Sequence, residues 1–246
     1  MIIAIWGRSG TGKSVIANEL GRQYAQRGKV TLVVDTDMTQ PTLPPRLPNT
    51  LENNRLSLGA IFSSPQVKDA QIYLHSYPRV KGLFFAGLLK DDNYLSYQIG
   101  MRQFTQAVSF IRACQDIIDV IILDCSGQRG DPFLAVALEH ADHFFMIHTP
   151  DTKNACWYLG VKPIFTRKSP NTILHVGNAV QKHHSASEYE KITGIKFSEL
   201  LPTSRTINEV DGQGSFASCS SDHQSKVWLR NLNRLVKGLE SDNHER

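Results

Sequence analysis

Short apolar runs alternate with polar stretches of helical spacing along most of this chain. Met1 to Trp6 (MIIAIW) is apolar and rich in β-branched residues, which reads as a buried strand. Behind a glycine-rich turn, Val15, Ile16, Leu20 and Tyr24 recur at helical intervals, predicting a helix over 15–27. Further strands are expected over 29–35, 82–87, 120–124, 143–148 and 172–176. Helices fit over 98–116, 132–140, 152–168, 185–193 and 225–239. Such alternation predicts βαβ units around a mostly parallel sheet, an α/β fold of three layers, α/β/α. Residues 38–58 hold four prolines among polar residues and read as an irregular or switch-like loop. One domain is expected over 1–239, with a polar tail over 240–246.

Between the first strand and the first helix stands Gly7-Arg8-Ser9-Gly10-Thr11-Gly12-Lys13-Ser14, which fits G-x-x-x-x-G-K-[ST]. Strand, glycine-rich loop and helix are the context this phosphate-binding loop requires. Glycines let the backbone approach an anion closely, because no Cβ intervenes. The loop N–H groups then form an anion nest, and the helix N-terminus adds partial positive charge. Residues 7–15, Val15 included, are therefore the expected nucleotide contacts. Lys13 is expected on the β- and γ-phosphates, and the Ser14 hydroxyl on Mg²⁺.

Composition adds little to that picture. Hydrophobic residues make up 41% and charged residues 20% of the 246, ordinary values for a globular chain, and the net charge is +4. That mild basicity is compatible with DNA or an anionic membrane surface and is evidence for neither. The four cysteines, at 114, 125, 156 and 219, lack C-x-x-C spacing and read as free thiols of a reducing compartment. No apolar run has the length of a membrane span, and the first run is too short for a signal peptide, so a cytoplasmic location is expected.

Two more segments belong with the loop. Asp124 ends an apolar strand, where open α/β sheets bind ligands, and stands at the Walker B position, expected to hold Mg²⁺. Gly127, three residues on, is placed to donate its N–H to a γ-phosphate. Asp35 and Asp37 close the second strand, and either is a candidate for orienting water or supporting the magnesium shell.

Taken together, Gly7–Ser14, then Val33-Val34-Asp35-Thr36-Asp37-Met38-Thr39-Gln40-Pro41, then Ile121-Ile122-Leu123-Asp124-Cys125-Ser126-Gly127 resemble the MinD/ParA family of deviant-Walker-A P-loop ATPases. The resemblance extends over almost the whole chain, through Ala141 to Asp151, His175-Val176-Gly177-Asn178 and Leu200-Leu201-Pro202. It implies a doubly wound sheet, ATP and Mg²⁺ as ligands, and nucleotide-dependent sandwich dimers. It implies further that Asp37 positions the hydrolytic water near the metal, that Asn178 reads the base, and that the segment at Pro202 brackets adenine. For Asn178, a buried structural amide is the alternative reading. The segment from Asp35 to Pro41 is also similar to CpaE/TadZ relatives and to bacterial tyrosine kinases.

One position departs from the pattern. The family carries a signature Lys after the first Gly, which crosses the dimer to the partner's phosphates; here Arg8 stands there, followed by Ser9 where Gly is usual. Arg keeps the charge but presents a planar fork of donors. Its expected role is to bridge protomers, with a solvated loop charge as the alternative. Thr152-Lys153-Asn154-Ala155 and Asn178-Ala179-Val180-Gln181 lack the Asp of a guanine-reading motif, which favours ATP over GTP.

The final helix carries Val227, Trp228, Leu232, Leu235, Val236 and Leu239 on one face and Lys226, Arg230, Arg234 and Lys237 elsewhere. A membrane-lying basic helix and a helix packed on the sheet both fit, and packing is the favoured reading. His183-His184 lacks a carboxylate at ligand spacing and reads as a solvated pair; Trp6 reads as core. The expected function is an Mg²⁺-dependent, ATP-hydrolysing dimerisation switch that positions DNA or a cellular machine. Its expected partners are a second copy of the chain, an activating protein and non-specific DNA. The alternatives are a non-hydrolysing nucleotide-bound scaffold and a tyrosine-kinase-type phosphotransferase. The last Tyr is Tyr189, so the Tyr-rich tail of the kinases is missing.

Overall fold

The computed structural model describes residues 1–39, 42–47, 56–63, 67, 69–89, 92, 101–127, 130–167 and 173–244. Gln40 and Pro41, part of the resemblance above, lie outside them. Eight strands form one sheet: β1 (Ile2–Gly7), β2 (Thr31–Asp35), β3 (His75–Ser76), β4 (Leu83–Ala86), β5 (Val120–Asp124), β6 (His143–His148), β7 (Ile173–Val180) and β8 (Glu199–Pro202). Their order across the sheet is β3-β4-β2-β5-β1-β6-β7-β8. Among the described residues, only the β3–β4 pair is antiparallel.

The central strands β1, β2, β5 and β6 are buried along their whole length, as parallel strands covered on both faces must be. Alternate residues serve two separate cores. Ile2, Ala4 and Trp6 face one, with Phe110 of α3 (Met101–Gln115), Phe133 of α4 (Pro132–His140) and Val161 of α5 (Thr152–Arg167). Ile3 and Ile5 face the other, with Leu20 of α1 (Lys13–Gln26) and Trp228 of α8 (His223–His244). The result is the three-layer α/β/α sandwich expected. Trp6 is fully buried core, edge-on to Phe144 and Trp157.

The predicted elements recur with shifts of a few residues. The last helix, α8, runs on to His244, past its predicted end near 239. Elements not expected from the sequence include α2 (Leu43–Arg46), inside the proline-rich stretch, α7 (Arg205–Gly212) and the short strands β3 and β8. α7 buries only Ile207, so it leaves almost no apolar signature. The apolar face of α8 is spent on the protein itself, with Trp228, Leu232, Val236 and Leu239 all buried. No helix among the described residues is long and apolar enough to cross a membrane.

Candidate functional site

The carboxyl end of β1 is where the candidate site is built. Strand β1 approaches β6 so closely that a Cβ on Gly7 would stand 2.4 Å from the Ile147 carbonyl oxygen. Gly10 and Gly12 then take left-handed backbone angles, φ +80° and +82°, which cost a glycine almost nothing. The loop closes on one carbonyl: the Thr11 hydroxyl and amide and the Lys13 ammonium all donate to the Arg8 oxygen, at 2.8, 3.3 and 3.3 Å. Helix α1 starts with Gly12 as N-cap, no side-chain cap and no acid in its first turn. Its N-terminal donors are thus left to a ligand, the arrangement that makes helix N-termini anion sites.

Parallel register carries the carboxylates to the same level. Asp124 pairs with Ile5 on one side and Asp35 on the other. Asp124 is buried and one of its oxygens, Oδ1, has no hydrogen-bond partner. Burial, then the charge of Asp35, push its carboxyl up to about 7, against the pull of Lys13, a hydrogen bond from Ser14, and Arg46. A buried carboxylate with an orphan oxygen beside a Ser hydroxyl fits a hard cation that keeps most of its waters, as Mg²⁺ does. Among the described residues, no group of three or more His, Cys, Asp or Glu could itself hold a metal.

The two acids at the end of β2 divide their work. Asp35 is buried and raised above the usual carboxylate range, chiefly by burial. Its oxygens accept from the Thr42 amide (2.6 Å) and hydroxyl (2.9 Å) and from the Asp37 amide (3.1 Å). It is therefore a clamp on the following loop. Asp37 is only half-buried, and its Oδ1 accepts from the Thr39 amide at 3.0 Å and hydroxyl at 2.7 Å, an Asx turn. Gly127 lies directly on the phosphate loop: a Cβ there would be 2.9 Å from the Ser9 nitrogen and 3.2 Å from the Gly7 oxygen.

Arg8 turns toward its own chain. Its Nη2 is 3.7 Å from Asp151 Oδ2, both side chains are one-third exposed, and the buried Nε has no partner. Asn178 sits under the loop, donating from Nδ2 to the Thr11 oxygen (2.8 Å) and accepting the Trp228 indole N–H on Oδ1 (2.9 Å). The β7–β8 register slips between Gly177 and Val180, and Ala179 takes φ +53°, a left-handed angle that aims this turn. A cleft of about 150 Å³ opens beside it, lined by Gly10, Gly12, Val15, Asn178, Pro202 and Asn208. The predicted base-side residues thus share one wall with the loop.

Other predicted features fall elsewhere. His183 and His184 pack edge-to-face 4.5 Å apart in a surface turn. Cys114 and Cys125 are buried, Cys156 and Cys219 exposed, and all four are free thiols. A buried polar cluster has no counterpart in the sequence pattern. His148 Nε2 lies 3.0 Å from His175 Nδ1, and His148 Nδ1 lies 2.9 Å from the Tyr189 hydroxyl, which donates to Asn154. Burial pushes His148 down to about 3 and His175 down to about 4, with each further lowered by a neighbouring cation or imidazole. Four different elements supply these groups, so no local spacing betrays them.

No family model matches the chain, and no curated protein matches it by sequence. Its backbone, however, superposes on solved structures along nearly its full length. The Pyrococcus horikoshii septum site-determining protein MinD, complexed with Mg-ADP, has a TM-score of 0.77 at 15% identity, covering 97% of this chain and 96% of that one. The Pyrococcus furiosus cell division ATPase MinD gives 0.75 at 17%, covering 96% and 98%. A ParA family ATPase from Chlorobium tepidum gives 0.74 at 16%, covering 95% and 98%. The chain therefore carries, almost end to end, the fold of the MinD and ParA ATPases.

Proposed function

We propose that this protein is a cytoplasmic, Mg²⁺-dependent ATPase that dimerises with ATP bound and positions DNA or a cellular machine through an activating protein partner. The observation that carries the reading is a juxtaposition. An uncapped helix N-terminus behind a preformed glycine loop stands beside a buried Asp124 oxygen that no protein group satisfies. Phosphate on the first and a cation on the second would complete both.

In this reading the amides of residues 7–15 cradle the phosphates, and Lys13 exchanges the Arg8 carbonyl for them. Ser14 and Asp124 would hold Mg²⁺, which supplies charge neutralisation for the phosphates when bound. Gly127 meets the γ-phosphate with its amide. Asp37 orients the attacking water and stands near the metal shell. Asn178 and Pro202 form the base side of the cleft. Arg8 leaves Asp151 to reach the phosphates of the partner protomer. Lys13→Ala should weaken Mg-ATP by about 1.5–3 kcal/mol in calorimetry, the worth of a charge-assisted contact. Equal affinity of the two proteins would end the reading.

A non-hydrolysing scaffold is the second reading, favoured by two contacts. Asp37 Oδ1 is engaged in its Asx turn, and Arg8 is held within its own chain. Single-turnover hydrolysis with and without a partner separates it from the first. The phosphotransferase reading gains nothing from the structure, since Tyr189 is buried and hydrogen-bonded. Membrane contact through α8 would require exposing core residues.

A further inference from the structure

Between the segment that follows β2 and the segment that follows β5 runs a buried connection with no assigned role. The Thr36 hydroxyl is hydrogen-bonded to Asp131 Oδ2. The Ser126 amide donates to both, to Thr36 Oγ1 at 3.0 Å and to Asp131 Oδ2 at 2.9 Å. The Thr36 amide and hydroxyl each lie 3.2 Å from the Asp124 carbonyl oxygen. The second oxygen of Asp131 caps α4 by accepting the Phe133 amide at 2.8 Å. All three side chains, Thr36, Ser126 and Asp131, are buried. Above them, the Ser126 carbonyl accepts the indole N–H of Trp6 at 2.9 Å, which anchors the cluster to β1.

The placement of this cluster gives it meaning. Thr36 immediately precedes Asp37, and Ser126 immediately precedes Gly127. A carboxylate buried in an apolar layer costs free energy that a helix cap alone does not require, since exposed Ser, Thr or Asn caps serve as well. Asp131 instead directs its other oxygen across to a different strand's loop. We propose that Thr36 and Asp131 are positioning residues, tying the segment that carries Asp37 to the segment that carries Gly127 so that the two move as one. The inference rests on the ATPase reading for its consequence: water orientation and phosphate contact would be set together. The tie itself is independent of that reading.

Two measurements test it. In nucleotide-free protein, amide hydrogen exchange is followed over peptides spanning 36–39 and 124–127 in the parent, Thr36→Val, Thr36→Ser and Asp131→Asn. Thr36→Val keeps the side-chain shape and removes the hydroxyl, and Asp131→Asn keeps an acceptor for the α4 cap. Faster exchange in both segments in Thr36→Val and Asp131→Asn, with parent behaviour in Thr36→Ser, is expected. Faster exchange confined to one of the two segments would overturn the tie. In single-turnover assays with Mg-ATP, Thr36→Val should slow hydrolysis about tenfold or more with KM changed less than about threefold, and Thr36→Ser should restore the rate. A parent-like rate in Thr36→Val, or equal losses of rate and nucleotide affinity, would overturn the positioning role. A parent that binds no ATP or never hydrolyses it would sink the ATPase reading instead, and the exchange result would still decide the tie.

Discussion

The side-chain amide nitrogen of Asn178 stands 2.3 Å from the point a Cβ on Gly12 would occupy. The phosphate loop and β7 are thus fitted to one another at a glycine that also needs a left-handed φ of +82°. Gly10 makes the comparison clean, because it has nearly the same φ, +80°, and open space where its Cβ would go. Gly10→Ala should therefore cost only the backbone strain, about 1–2 kcal/mol. Gly12→Ala should cost more and lower the melting temperature further, by about 2–4 °C for each additional kcal/mol. Thermal unfolding of the two variants checks this. Equal losses would mean that Asn178 swings aside freely.

Removing the Asn178 side chain should be severe for a different reason. Asn178→Ala strips the Trp228 indole N–H and the Thr11 carbonyl of a buried partner at once. Each orphaned group costs about 1–3 kcal/mol. Denaturant unfolding should show a loss of a few kcal/mol, together with weakened ATP binding in calorimetry. A variant as stable as the parent would assign those bonds to water.

Asp37→Ala should separate binding from chemistry. The phosphate cradle and Asp124 are untouched, so Mg-ATP affinity should hold, while hydrolysis should slow by about two orders of magnitude from lost positioning. Rapid-quench measurement of a single turnover reports it. An unchanged rate would remove Asp37 from the mechanism.

Arg8 and Asp151 set up a competition. If Arg8 serves the partner's phosphates, Arg8→Ala should raise ATP-dimer dissociation by about two to four orders of magnitude, two contacts of about 1.5–3 kcal/mol each being lost. Asp151→Ala should act the opposite way, tightening the dimer by up to about fivefold per Arg8 released, since an exposed ion pair is worth at most about 1 kcal/mol. Sedimentation with a slowly hydrolysed ATP analogue reads both. Parent-like dimers in both variants would leave Arg8 a loop charge.

The His148–His175 pair predicts an acid sensitivity whose sign is fixed. Both are held below their usual value, His148 at about 3 and His175 at about 4. Below about pH 6.5 the unfolded chain binds protons that the folded chain refuses, so their contribution to stability is full at neutral pH and is lost as pH falls toward about 4. Asp124 and Asp131, both raised to about 7, pull the other way over the same window. Comparison with a variant cancels that opposition. His148→Gln should make the stability loss between about pH 6 and pH 4 shallower by about 1 kcal/mol per pH unit. Parallel pH profiles for the two proteins would show His148 to be protonated in the fold.

Much of the candidate site is legible in the sequence, and the reason lies in contiguity. Gly7 to Ser14 are consecutive, so their chemistry can be read from spacing alone, and Asp124 is marked by the apolar strand it ends. Asn178 is singled out by the resemblance, while its bond to Trp228, 50 positions away, leaves no mark in the sequence. Thr36 with Asp131, and His148 with His175, meet only because the sheet sets β2 beside β5 and β6 beside β7. The short strand β8 and helix α7 bury too few apolar residues to mark themselves.

Strand β1 lies between β5 and β6 and pairs with nothing nearer in sequence. The backbone of Ile2 is held by Asp142, 140 residues downstream. During synthesis the residues of β1 must therefore wait until β5 and β6, far downstream, have been made before their neighbours exist. Contacts so distant in sequence are slow to form, because the closure entropy of a long loop comes before any reward. The glycine loop is tethered to that strand on one side and to α1 on the other. A nascent chain that has not yet released β6 carries the complete nucleotide-binding motif in its sequence but lacks the scaffold that shapes it, so nucleotide can favour only the finished fold.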